Sequence, residues 1–202
     1  NRPYTDDWAW NAVEIDFQQA NHPLRTGPFL QGLSFDYVSV HALELSVSSP
    51  DPPETRYLDA LVEVGRRSWL SAFAQTAPFA LISWWVREDR TRRLYEQCWA
   101  EMHVLEEDGV IIGLVQPQTD EINGLWVHPQ SQAAGAGTRL LRHGEALIRR
   151  GGHQTAWLTC SGFNGAALAF YARRGYQETQ RVRTLHPCGV EVEDVRMERL
   201  IL

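Results

Sequence analysis

The chain has 202 residues, 44% hydrophobic, 22% charged and 10% aromatic, enough apolar matter for one domain with a true core and too much for a disordered chain. Three cysteines exclude a disulfide scaffold, and the longest nearly apolar run, Ala77 to Val86, is about half the ~20 residues needed to cross a bilayer, so the reading is a soluble, cytoplasmic protein without a membrane partner. The net charge of −6 arises from 25 acidic residues against 19 basic ones, all of them Arg, which leaves no basic stripe for nucleic acid and no Lys for Schiff-base chemistry.

Residues 1–32 read as an irregular N-terminal extension that packs through Trp8, Trp10, Phe17 and Phe29, with one short helix near Ala12 to Ala20. Whether it covers the acceptor side of a cleft or mediates a homodimer stays open. The domain proper is 33–202. Phe35 to Val47 alternates as one strand, and Pro50, Pro52 and Pro53 break it. Leu58, Leu61, Val62, Gly65 and Trp69 then recur at helical spacing. After Pro78 a second helical region runs from Phe79 to Trp99. His103 to Glu106, Val110 to Val115 and Glu121 to Val127 read as three strands, the first two joined by Asp108-Gly109, a turn pair that accepts positive φ. Ala136 to Arg150 is a helix stopped by Gly151-Gly152. Thr155 to Cys160 is a strand, and Asn164 caps a short helix that ends at Gly175. Tyr176 to Val182 and Val190 to Leu200 are closing strands. The order predicts a mixed α/β domain without the regular alternation of a doubly wound fold.

One stretch carries chemistry. Val127-His128-Pro129-Gln130-Ser131-Gln132-Ala133-Ala134-Gly135-Ala136-Gly137 runs from a strand through a turn into a helix. Free N–H groups and the helix dipole make such a start an anion site suited to a pyrophosphate. The Lys of a Walker motif and the third Gly of a dinucleotide fingerprint are absent, so a plain tight turn is the competing reading. About thirty residues on stands a second pattern, Asn164-x₅-Phe170-Tyr171-x₃-Gly175-Tyr176.

Together these two motifs resemble the GNAT superfamily of acetyl-CoA-dependent N-acetyltransferases, and the similarity extends over about Leu43 to Leu200. The resemblance implies a central mixed sheet flanked by helices. It implies acetyl-CoA as co-substrate and an amine-bearing acceptor. By the same resemblance the backbone of Leu125, Trp126 and Val127 pairs with the pantetheine arm, and the N–H groups of Gln132, Ala133, Ala134, Gly135, Ala136, Gly137 and Thr138 hold the pyrophosphate. Asn164 reaches the cofactor, Tyr171 protonates the thiolate, and Glu121 is the general base. The expected reaction is direct attack of a primary amine in a ternary complex. A catalytically silent acyl-CoA-binding module is the alternative.

Bland readings stand beside several of these residues. Glu121 is otherwise a solvated carboxylate at a strand start, and Tyr171 otherwise a core aromatic. Asn164 caps a helix in either case. Cys160 is a buried inert thiol unless it carries an acyl group. In a regular strand Glu121, Asn123, Leu125 and Val127 share one face. The seven His show no metal-ligand spacing.

Overall fold

A computed structural model describes residues 38–42 and 53–202. The N-terminal extension, its short helix and most of the first predicted strand lie outside the described residues. The elements are β1 (Val38–Ala42), α1 (Pro53–Phe73), α2 (Phe79–Arg87), α3 (Arg90–Cys98), β2 (His103–Glu107), β3 (Val110–Gln118) and β4 (Glu121–Val127). They continue with α4 (Ala136–Arg150), β5 (Thr155–Ser161), α5 (Gly165–Arg173), β6 (Gln177–Leu185) and β7 (Glu191–Leu200). The strands form one sheet in the order β1-β2-β3-β4-β5-β7-β6. Every pairing is antiparallel except β4 with β5, so the sheet is mixed.

The predicted helix over 79–99 is two helices, because Asp89 adopts φ +47 and ends the first. The Arg66 guanidinium on α1 holds that turn through the Asp89 carboxylate at 2.6 Å. The strand predicted to stop at Val115 runs on through Pro117 to Gln118. There the register slips: Gln116 pairs with Gly124 and Pro117 with Ile122, so Asn123 has no partner and β4 carries a bulge.

Two clusters form the core, one on each sheet face. On one face, Leu140, Leu141 and Ile148 of α4 with Phe170 and Tyr171 of α5 meet Val115, Ile122, Leu125, Val127, Leu158, Cys160, Val195 and Met197. Gly144 lets α4 lie this close, since a Cβ there would sit 2.7 Å from Ile122 Cδ1. On the other face, Leu61, Trp69 and Phe73 of α1, Leu81 and Trp85 of α2 and Tyr95 of α3 cover Val104, Leu114 and Trp126. Trp69 and Trp85 stack with centroids 4.6 Å apart. Each large side chain so buried stabilises the fold by roughly 1.5–3 kcal/mol.

The bulge also changes which residues of β4 look the same way. Ile122, Leu125 and Val127 all enter the α4-side cluster, although their numbers differ in parity. Glu121 therefore does not share a face with Leu125 and Val127, contrary to the regular-strand expectation. It projects toward the face that carries Trp126.

Candidate active site

The parallel pairing of β4 and β5 amounts to one register pair, Glu121 with Trp157. Asp120 staples that end twice: its carbonyl accepts from the Trp157 N–H at 3.0 Å and its Oδ1 from the indole Nε1 at 3.0 Å. Beyond it the two strands part, and β4 keeps hydrogen bonds on its β3 side. The His128 N–H donates to the Ile112 carbonyl at 2.8 Å, and alternation then turns Trp126 toward β3. Leu125 and Val127 point their backbone groups the other way, into the gap.

The Val127 carbonyl is engaged there already. Ser68 Oγ on α1 donates to it at 2.7 Å and Gln132 Nε2 at 3.1 Å. The Gln132 side chain thus folds back onto the strand end and not outward. The backbone of Leu125 and the Val127 N–H remain for an added strand-like ligand. Ser68 escaped the sequence reading; its signal is a lone hydroxyl within the buried face of α1.

Between β4 and α4 the chain turns through Ala133 at φ +66 and Gly135 at φ +84. Gly135 is the residue before the helix, a side chain built on it would meet nothing within 4 Å, and no side chain caps the helix start. Among the described residues the N–H groups of Ala136, Gly137 and Thr138 are consequently left to bind an anion, with the positive helix end behind them. Gly137 itself is buried. Arg174, another residue the sequence reading missed, spans from the end of α5 to the first turn of α4: its Nε lies 3.2 Å from Thr138 Oγ1, and its guanidinium carbon 3.5 Å above the Phe170 ring. The signal is its place four residues after Phe170, just before Gly175.

Asn164 caps α5 as predicted, its Oδ1 accepting from the Ala167 N–H at 3.0 Å. Its Nδ2 is buried without a hydrogen-bond partner among the described residues. Tyr171 is wholly buried in the cluster that includes Leu125, Val127 and Cys160, and its hydroxyl is likewise unpartnered. Burial holds the phenol well above its ordinary pKa, so it stays protonated. Phe170 packs in the same cluster, edge to Tyr171 at 5.2 Å. The Tyr176 hydroxyl donates to Glu145 at 3.1 Å, and Arg199 pairs with the same carboxylate at 2.9 Å, so the last residue of the second motif and β7 are both tied to α4 through Glu145.

Glu121 is half-buried, and desolvation pushes its carboxyl up to about 7, with Arg196 opposing and Asp120 adding to the rise. A carboxylate poised there is suited to take a proton at neutral pH. Cys160 is fully buried and burial raises its thiol pKa, the state of an inert cysteine. His128 turns its Nδ1 to the Gln130 N–H at 3.3 Å and lies at the loop surface. A separate recess of about 350 Å³ opens between α1, α2 and α3 beside Arg66, Trp85 and Asp89, and no predicted site residue lines it. Among the described residues no group of three or more His, Cys, Asp or Glu could hold a metal ion, and no helix is long and apolar enough to cross a membrane.

The comparison with protein families matches the acetyltransferase (GNAT) family over residues 58–176, more than half of the chain and both motifs. The chain belongs to the GNAT acetyltransferase family. Solved structures of this fold align with the GNAT chain along nearly their whole length. The PaiA N-acetyltransferase of Thermoplasma acidophilum, in complex with coenzyme A, is 19% identical, with 81% of this chain and 98% of that one covered and a TM-score of 0.58. The ribosomal-protein-S18-alanine N-acetyltransferase of Escherichia coli is 21% identical over 81% and 94%, with a TM-score of 0.56. YjaB of Escherichia coli in its apo form is 17% identical over 80% and 96%, with a TM-score of 0.61. A comparison with curated proteins finds no match.

Proposed function

We propose that this GNAT domain transfers an acetyl group from acetyl-CoA to a primary amine by direct attack in a ternary complex. The observation that carries the reading is the parted β4–β5 pair, joined at one register position, with the Tyr171 hydroxyl on α5 and Nδ2 of its cap Asn164 buried without partners among the described residues. Buried polar atoms without partners are rare, and a ligand in the gap would supply what they lack. The residues fit acetyl-CoA. The Leu125 backbone would pair with the pantetheine amides, the N–H groups around Gly135 and at the start of α4 would bind the pyrophosphate, and Asn164 would donate from α5.

Acetyl-CoA, when bound, supplies a thioester whose C–S bond gives way to the new C–N bond. Glu121 receives the proton that the ammonium must lose before it can attack, directly or across water. The N–H of Leu125, free of β3, donates to the acyl oxygen as charge develops on it. Tyr171 gives a proton to the departing sulfur and is reprotonated from water; burial raises the phenol, so the transfer is uphill by more than the ~1.5 units that separate a reference thiol and phenol. The test is release of free thiol from acetyl-CoA with a panel of primary amines. Amine-dependent thiol release is expected. Tight CoA binding with no thiol released by any amine would identify a silent binding module and overturn the proposal.

A further inference from the structure

On the β5–β7 half of the sheet, side chains alternate with Leu158, Cys160, Val195 and Met197, which enter the α4-side cluster. The opposite face therefore carries Thr159 and Ser161 from β5 and Val192, Asp194 and Arg196 from β7, the same face to which Glu121 projects. Asp194 pairs with Ser161 on one side and Val182 on the other. Its carboxylate is half-buried and has no hydrogen bond or ion pair among the described residues. Arg196, two residues on, is committed elsewhere: its guanidinium lies 3.8 Å over the Trp157 ring and donates to Glu198 at 2.7 Å. Arg181 and Arg183 pair with Glu193, which points to the α5 face. On β6, beside Val192, the Thr184 hydroxyl is also buried without a partner among the described residues.

A half-buried carboxylate without a counter-charge costs free energy, and burial alone holds this one up at about 7. A cation supplied by a ligand would relieve both. The place of Asp194 says which ligand. Glu121 pairs with Trp157, and the bulge at Asn123 puts Leu125 three rungs from that pair, so Cys160 stands about level with Leu125 and Ser161 one residue beyond. Asp194 adjoins Ser161. It therefore lies across the gap from the backbone assigned to the acyl oxygen, one strand beyond β5.

We propose that Asp194 recognises the acceptor, binding the second ammonium of a linear di- or polyamine whose first amine is the nucleophile. The proposal rests on the acetyl-transfer reading above, and the overall charge of −6 favours the approach of such a dication.

The test is calorimetric titration of the CoA-loaded full chain with cadaverine, spermidine and n-pentylamine, for the wild type, Asp194→Asn and Asp194→Glu. Affinity for CoA in each variant reports an intact fold. The wild type is expected to favour cadaverine or spermidine over n-pentylamine by about tenfold to a hundredfold, the range of a charge-assisted contact. Asp194→Asn should bring that ratio near one, and Asp194→Glu should restore part of it. Equal binding of monoamine and diamine by the wild type, no detectable diamine binding, or a ratio that survives Asp194→Asn would overturn the proposal. So would an Asp194→Asn pH–rate profile that loses its limb near neutrality with both amine classes, because Asp194 would then be the base. A free-thiol assay run alongside separates the two readings. Diamine preference without thiol release defeats acetyl transfer alone, and thiol release without diamine preference defeats this proposal alone.

Discussion

Removing the hydroxyl of Tyr171 should move stability and activity in opposite directions. The ring is fully buried and the oxygen has no partner among the described residues. Burying a hydroxyl without a hydrogen bond costs about 1–3 kcal/mol on protein scales. Tyr171→Phe keeps the ring's packing against Phe170 and Tyr176 and deletes only that cost. The ligand-free variant should therefore gain about 1–2 kcal/mol. For a chain of this size that is a rise in Tm of roughly 2–8 °C. Turnover should fall about 10²-fold, or ~2.7 kcal/mol, the lower end for a lost general acid, because a thiolate already leaves without much help. Differential scanning calorimetry of the ligand-free protein and a thiol-release assay at saturating amine measure the two effects. A variant that melts at or below the wild type would show that the hydroxyl is satisfied inside the protein. One that keeps most of its turnover would leave Tyr171 as a core aromatic.

The wild-type kcat/KM should inflect near pH 7 with Glu121; Glu121→Gln should lose that inflection and about 10²–10⁴ in rate, leaving only the amine's own ionisation in the profile. Burial raises the Glu121 and Asp194 carboxyls above their unfolded values, so the folded chain binds more protons than the unfolded one between about pH 4 and 7. Both groups therefore cost stability as pH rises through that window, and either Glu121→Gln or Asp194→Asn should raise Tm at pH 8 and change it little at pH 4. Gly135→Val puts a branched side chain at φ +84 into open space at the helix start; CoA affinity by calorimetry should drop at least about tenfold, with about 1–2 kcal/mol of strain in the melting curve. Arg199→Met leaves the buried Glu145 with only the Tyr176 hydroxyl, and urea denaturation should show a loss of about 2 kcal/mol, discounted for the exposure of Arg199.

The helix start at Ala136, the Asn164 cap and the αL stop at Gly175 were legible because each depends on residues within a few positions of itself. The same holds for Asp108-Gly109, whose two positive φ angles close the β2–β3 turn. The bulge at Asn123 was not legible, since it arises from the pairing of β4 with β3 around Pro117, and no local pattern in β4 announces an unpaired residue. That one residue decides which way Glu121 faces. Ser68, Arg174 and Asp194 were missed for a related reason. Their significance lies in partners, or in the lack of them, 59 residues away for Ser68 and 36 for Arg174, where sequence spacing carries no signal. The break at Asp89 likewise needs Arg66 from another helix.

A sheet whose halves share one rung is two plates joined at a single edge, with the Asp120–Trp157 staple at the join. The first plate, β1 to β4, carries the Leu125 edge, and the second, β5 to β7, carries Asn164 and Tyr171 through α5. A ligand lying along the gap would touch both plates and act as the missing rungs. Its binding energy would then be felt by the whole chain and not by one loop, since anything that binds only the folded form adds to global stability by mass action. Hydrogen exchange would show this as slower opening on both sides of the gap together, far from any phosphate. The core under α4 and α5, which packs on strands of both plates, already sets their spacing, so the arm would find its two edges in place.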